Sequence, residues 1–398
     1  MESPLSGPYF PPPQPTQKTK RISKNLLVTL LIGLVIGAGV GSAVTYIDFN
    51  NKLTNLQSQL GLNGGISSQT YLLDDNISLA SLYTLVKPSV VVIQNVKPVS
   101  GLGQQAYSLQ QGSGFVTSVN GQKVIVTNNH VIEGALNITV TFADGNSYPA
   151  TVLGQDAKAD LAILSANIPS NAFGLNLVSS LTLSVGDPVI AVGSPYGLSG
   201  TLTTGIISAL GRTIVESDKS GKQTQQIADT IQTTTPINAG NSGGPLLNYA
   251  GQVVGITTAG ISNSEGLGFA IPSSTILREI ESLVTTGFYD SHPSINTQGV
   301  DMNYRIAQAM NVDVTYGYLV ERVTVNNGLR GGDRYQGILG DNVIVGGDII
   351  IAINNQRIAN TDDLLAYLER YTLPGQSVSF TVVRDGQTQN ISVTIGAA

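Results

Sequence analysis

The chain has 398 residues, of which only 12% are charged, with a net charge of -6, no cysteine and two histidines. That length predicts two or three structural units, the sparse and slightly acidic charge argues against a nucleic-acid surface, and the lack of cysteine excludes disulfides and thiolate metal sites. Two histidines so far apart make a zinc site unexpected, no Gly-rich Lys-Ser/Thr loop is present to hold a nucleotide, and neither metal nor cofactor is expected.

Residues 1–25 contain Pro11-Pro12-Pro13 and end in Lys18, Lys20, Arg21 and Lys24, which reads as a disordered tail. Residues 26–47 carry no charge, enough for a helix to cross a hydrocarbon core of about 30 Å. The alternative is a cleaved signal peptide, whose apolar region usually runs only about 7–15 residues. The basic cluster before the span and Asp48 after it predict a single-pass cell-membrane protein with a cytoplasmic N-terminus and an extracytoplasmic bulk. Residues 48–75 read as a juxtamembrane linker, since Leu53, Leu56 and Leu60 share a helical face too short for a coiled coil.

Residues 76–285 are short β-branched runs broken by glycine, asparagine and proline, the pattern of an all-β sandwich or barrel. His130 closes the apolar run 124–127, and Asp160 opens the run Leu161-Ala162-Ile163-Leu164. Asp144 and Asp156 are rival acids, but one sits in a turn signature and the other in a polar connection. Ser242 follows in Gly240-Asn241-Ser242-Gly243-Gly244-Pro245, where flanking glycines suit a tight turn that exposes a nucleophile. Gly-x-Ser-x-Gly also fits the α/β-hydrolase elbow, which needs a helix after the serine and acid and histidine partners further on. Here a turn at 248–251 and the β-rich run 252–257 follow, and the order is His, Asp, Ser.

Polar residues 215–226 read as a mobile loop. Residues 273–284 read as a helix opened by Pro-Ser-Ser, which supplies N-cap oxygens. Residues 285–294, with His292 among them, read as a polar hinge before a second unit at 293–396. Asn-x-Ser/Thr sequons at Asn76, Asn137 and Asn390 are permissive of glycosylation and no more.

The three motifs around His130, Asp160 and Ser242 resemble those of the HtrA/Deg serine proteases, and Gly347-Asp348-Ile349-Ile350 with the helical stretch 362–368 resembles a PDZ domain. The likeness spans roughly residues 76–396. It implies a mainly β fold, a chymotrypsin-like double β-barrel followed by an α+β PDZ domain; the N-terminal transmembrane helix expected at 26–47 lies outside the likeness. It implies catalytic His130, Asp160 and Ser242, an oxyanion hole from the N–H groups of Gly240 and Ser242, and a pocket walled by Ile237, Leu267 and Gly268 that suits small or medium apolar side chains. In the PDZ unit it implies a carboxylate-binding loop at Gln298, Gly299 and Val300, with residues 326–346 departing from the family pattern. The expected partners are unfolded or damaged proteins and peptides, and a homotrimer or larger homo-oligomer. A peptide-binding chaperone of the same fold that cuts nothing is the alternative, and an esterase is disfavoured by the motif order.

Overall fold

The structure, a computed structural model, describes residues 78–99, 106–194, 200–217, 223–238, 240–258, 266–338 and 340–398. The tail, the apolar segment 26–47, the linker 48–75 and Asn76 lie outside them. Among the described residues no helix is long and apolar enough to cross a membrane.

After a short helix α1 (Leu79–Val86), the first six strands are β1 (Val90–Val99), β2 (Ala106–Val119), β3 (Gln122–Thr127), β4 (Asn137–Thr141), β5 (Ser147–Asp156) and β6 (Leu161–Ala166), with a one-turn helix α2 (Asn129–Ile132) after β3. They close a barrel in the order β1-β2-β3-β6-β5-β4. A second barrel, ordered β10-β11-β12-β9-β8-β7, is built from β7 (Pro188–Gly193), β8 (Thr201–Ser217), β9 (Gln223–Thr233), β10 (Pro245–Leu247), β11 (Val253–Thr258) and β12 (Gly268–Pro272).

The strands are continuous apolar runs because several are buried on both faces. On β3 and β6, Ile125, Ala162 and Leu164 fill the first barrel with Ile93, Val116 and Val140. Their alternate neighbours Val126, Leu161 and Ile163 point the other way, into a core shared with Ile190, Val192, Leu247 and Ile256 of the second barrel. The shared core holds the barrels face to face, with the turns that carry the site motifs at its edge.

Residues 215–226 do not form the loop expected of them. Ile214 pairs with Ile227 and Val215 with Gln226, so β8 and β9 continue as a long hairpin and only residues 218–222 stand outside the described chain. Polar residues there pair through their backbones, which a hydrophobic pattern does not record. The expected helix forms as α3 (Ser273–Thr285), but its serines do not cap it as Pro-Ser-Ser suggests. Pro272 is the N-cap, Ser273 Oγ donates to the Val178 carbonyl, and Ser274 N–H donates to Ser180 Oγ at 3.1 Å.

The second unit opens with β13 (Pro293–Ser294) and β14 (Thr297–Asp301), followed by helix α4 (Tyr304–Met310) and β15 (Tyr318–Val323). Residues 326–346, the departure from the family pattern, hold a hairpin of β16 (Arg334–Ile338) and β17 (Asp341–Val345). Then come β18 (Ile349–Ile353), β19 (Gln356–Arg357), helix α5 (Thr361–Tyr371), β20 (Ser377–Arg384), β21 (Gln387–Thr394) and β22 (Gly396–Ala397). The main sheet runs β14-β15-β18-β20-β21. One face buries Val320, Ile350 and Phe380 against Leu364, Tyr367 and Leu368 of α5. The other buries Leu319 and Ile349 against Ile306 of α4 and against Ile338, Val343 and Val345, so the hairpin covers α4.

Helix α5 also touches the second barrel. Asn360 caps it by accepting from Asp363 N–H, and Asp362 in its first turn accepts from Thr213 N–H at 3.1 Å and from Arg212 at 3.3 Å. In its last turn Arg370 Nε donates to Asp229 Oδ1 at 2.7 Å.

Candidate active site

Strand β3 pairs with β6 through Thr127 and Ala162, which brings the end of one beside the entrance of the other. Asn128 stays extended and the chain then makes the single turn α2. Asp160 occupies the turn before β6 with φ +53°, a left-handed conformation that aspartate tolerates better than most side chains. Its carbonyl accepts from Asn129 N–H at 3.2 Å and from Asn128 Nδ2 at 3.0 Å. Its carboxylate grips the histidine twice: Oδ1 accepts from His130 N–H at 2.9 Å, and Oδ2 lies 2.8 Å from His130 Nδ1. Thr258 Oγ1 donates to the same Oδ2 at 3.3 Å. The acid is 1% exposed and the imidazole 35%, so the ring is anchored at Nδ1 by a buried carboxylate and is itself partly accessible. A carboxylate on Nδ1 fixes the tautomer in which Nε2 is the basic nitrogen.

Ser242 lies in the turn between β9 and β10. Gly243 N–H donates to Thr257 O at 2.8 Å, Gly244 N–H to Asn241 O at 2.9 Å, and Thr257 Oγ1 to Asn241 O at 2.6 Å. With the Asn241 carbonyl turned to Thr257, the N–H of the same planar peptide, that of Ser242, points the opposite way. The first barrel holds the turn through Ser113 of β2: its N–H donates to Ser242 O at 2.7 Å and its Oγ to Gly240 O at 2.6 Å. Thr127 Oγ1 in turn donates to Ser113 O at 2.8 Å, and Ser194 N–H to Ser113 Oγ at 2.9 Å. The neighbouring Gly112 is a glycine for want of space: a β-carbon there would lie 2.7 Å from Val131 and 3.2 Å from Ser242 O. Ser242 therefore sits across Gly112 from the residue that follows His130. Ser113, Thr127 and Thr258 were not singled out by the sequence, whose only signal is the Gly-Ser-Gly at 112–114.

Gly240 has φ +97°, and its N–H belongs to a peptide shared with Ala239, which is outside the described residues. Of the three expected pocket residues, two meet: a β-carbon on Gly268 would lie 2.7 Å from Ile237 Cγ1 and 2.6 Å from Thr235 O. Leu267 is 44% exposed and not part of that contact. Most of the stretch 261–266 lies outside the described residues.

Gln298, Gly299 and Val300 lie within strand β14, paired to β15 with a bulge between Gln298 and Gly299, and not in a loop ahead of a strand. A β-carbon on Gly299 would stand 2.0 Å from Leu319 O, so the glycine serves the close approach of two strands. The other side of β14 is an edge of the sheet.

Asp144 is the turn residue expected, accepting from Asn146 N–H. Asp156 and His292 overturn their readings as polar connection and hinge, because both are buried and His292 Nε2 lies 2.7 Å from Asp156 Oδ2. Glu279 adjoins them, the ligand atoms of the three lying within 4.8 Å of one another. The direct His–Asp bond and the guanidinium of Arg278 on Glu279 fill that space as a charge network.

A trypsin-like peptidase model matches residues 112–256, which span His130, Asp160 and Ser242. A PDZ model matches residues 335–395, leaving β14, α4 and β15 of the same sheet outside the match. The solved HtrA-type protease AlgW with tripeptide is 30% identical, covers 81% of this chain and 98% of its own, and superposes with a TM-score of 0.59. The chain belongs to the HtrA family. Among curated members, the periplasmic serine endoprotease DegP of Escherichia coli is 33% identical over 300 residues, 74% of this chain and 59% of that one. The serine protease PepD of Mycobacterium tuberculosis is 34% identical over 341 residues, 81% of this chain and 66% of its own. The chain thus spans about three fifths of the length of DegP, and what it shares with the family is the double barrel with a PDZ domain.

Proposed function

We propose that the chain is a membrane-anchored, extracytoplasmic serine endopeptidase that degrades unfolded or damaged proteins. The observation that carries the chemistry is the double grip of Asp160 on His130, at Nδ1 and at the backbone N–H, beside a tightly held serine turn. In this reading Ser242 Oγ attacks the scissile carbonyl while His130 Nε2 takes its proton, and Asp160 stabilises the imidazolium. The oxyanion is met by the N–H groups of Gly240 and Ser242, each such donor contributing about 2.7–4 kcal/mol to the transition state. His130 then gives the proton to the departing amine, leaving an acyl-enzyme at Ser242 that water hydrolyses.

Ile237 beside Gly268 favours an apolar side chain before the cut, because a charge buried there without a partner is costly. The PDZ unit presents the free edge of β14, the kind of edge to which an extended peptide adds as a strand. A solved relative carries a tripeptide, and this chain is proposed to take peptides too. Anchoring rests on the apolar segment 26–47 and assembly as a homotrimer or larger on the family. The deciding test incubates the full chain with an unfolded apolar protein and maps the products, with Ser242→Ala as control. Products ending in apolar residues are expected, and cleavage that survives in the control would refute the assignment. External protease digestion of intact cells tests the topology, and should remove everything beyond residue 47.

A further inference from the structure

Five acidic or basic side chains and Tyr289 meet where the first barrel, α3, the segment before β13 and α5 come together. His292 Nε2 lies 2.7 Å from Asp156 Oδ2, and its Nδ1 lies 3.4 Å from Glu369 Oε1. Arg278 pairs with Glu279 Oε1 through Nη2 and with Glu369 Oε2 through Nη1, the latter at 2.9 Å. Tyr289 packs over Arg278 and edge-on to His292. Glu279 is fully buried, and no N–H or O–H in the described structure reaches its Oε2. As a carboxylate that oxygen would be an unpaired buried charge, whereas a carboxyl there carries a proton to offer the neighbouring Asp156 carboxylate, an oxygen of which lies within 4.8 Å of one of Glu279. With Glu279 neutral and His292 protonated, the positive His292 and Arg278 cancel the negative Asp156 and Glu369.

We propose that Asp156, Glu279 and His292 form a proton-loaded latch that fastens the interdomain segment and α5 to the protease barrels and releases them when alkali removes the protons. The latch uses none of the residues assigned to hydrolysis, and it joins parts far apart in sequence: the end of β5, a helix of the protease unit, the segment before β13 and the PDZ helix.

The charges surrounding it set the direction. Burial opposes the charge of His292, but Asp156 and Glu369 prevail and push it up to about 9 from an ordinary 6.5. Its contribution to docking is whole below 6.5 and is lost as pH rises through about 9. Burial pushes Glu279 up to about 8 from 4.5 against the pull of Arg278. Between those values the docked chain keeps a proton that the undocked chain releases, so this contribution is whole below 4.5 and is lost as pH rises through about 8. For Asp156, burial is outweighed by the bond and charge of His292, which lower it, so its contribution is lost only on acidification. Arg278 is held above its ordinary range by Glu279 and Glu369 despite burial. The remaining charges are Lys158, which donates to the Ala398 carbonyl, and the Arg370–Asp229 pair, in which burial raises Asp229. The latch is therefore tightest at mildly acidic pH and loosens progressively as the pH rises through the neutral range into the alkaline.

The chain has no cysteine, so a pair of spin labels can be introduced cleanly. Val185→Cys on the second barrel and Tyr335→Cys on the PDZ hairpin are both exposed. In the full chain carrying Ser242→Ala, double electron–electron resonance should give one narrow distance at pH 6 that broadens as the pH is raised to 10. In Glu279→Gln, whose amide donates without titrating, the midpoint of that broadening should move up by a unit or more. In His292→Gln the distance should already be broad at pH 6. A narrow distance up to pH 10, or a Glu279→Gln midpoint equal to that of the parent, would overturn the proposal. A stoichiometric divalent cation whose chelation opens the seam at constant pH would overturn it as well, since such a cation balances the same charges in place of two protons.

Discussion

The molecule contains two buried aspartates four positions apart, each holding a histidine at 2.7–2.8 Å, and the two pairs do opposite things. Asp160 grips a ring that is 35% exposed, and around that pair stand backbone amides and hydroxyls. Asp156 grips a ring that is 4% exposed, and its neighbours are Glu279, Arg278 and Glu369. A partly exposed histidine with a buried carboxylate on Nδ1 suits the proposed role of accepting and returning a proton. One held at both nitrogens inside a salt-bridge network keeps its proton and becomes a fastening. The pair is the same in chemistry, and solvent access with the third neighbour sets its use.

Breaking the open pair should cost most. Ser242→Ala and His130→Ala should each lower kcat by about a millionfold with the fold intact, since members of such a unit do not contribute additively; circular dichroism and peptide hydrolysis in contaminant-free protein check both halves of that statement. Asp160→Asn keeps the shape but offers the wrong tautomer, and a fall in kcat of about 10⁴ is expected. The sealed pair should answer in another currency. Asp156→Asn should lower the unfolding free energy by about 3–5 kcal/mol, because the buried His292 loses its nearer carboxylate and keeps only the longer contact with Glu369, while hydrolysis of a short peptide per folded molecule stays near the parent value. Equal losses of stability from Asp156→Asn and Asp160→Asn would erase the distinction. The finest test is Thr258→Val, which removes one donor to Asp160 and should cost about 1–2 kcal/mol, a five- to thirtyfold drop in kcat without a change in stability at the seam.

The open pair was legible in the sequence because its residues punctuate apolar runs. His130 closes one, Asp160 opens another, and Ser242 stands among glycines, so the pattern that forms the barrels also marks the site. The doubly buried strands were legible for the same reason. Ser113 escaped notice because its work is done by backbone and hydroxyl bonds to a turn 127 or more positions away, which no local spacing records. Asp156 and His292 were misread because each sits in polar text, and partners 136 positions apart leave no periodic trace. The β8–β9 extension was misread as a loop because polar residues pair through the main chain as readily as apolar ones. The resemblance assigns Gly299 to a ligand loop, whereas the close approach of the neighbouring strand explains the glycine.

The backbone of Asp160 also bears on how such a protein ages. At φ +53° the position accepts aspartate, asparagine and glycine with little strain and most other residues with more. In the genetic code, asparagine and glycine each lie a single base change from aspartate. Both remove the carboxylate that holds His130, and neither disturbs the turn that carries it. If Asp160 holds the catalytic histidine as proposed, either exchange removes the chemistry in one step while sparing the architecture, so a lineage can lose hydrolysis and keep a well-folded scaffold on which selection continues to act.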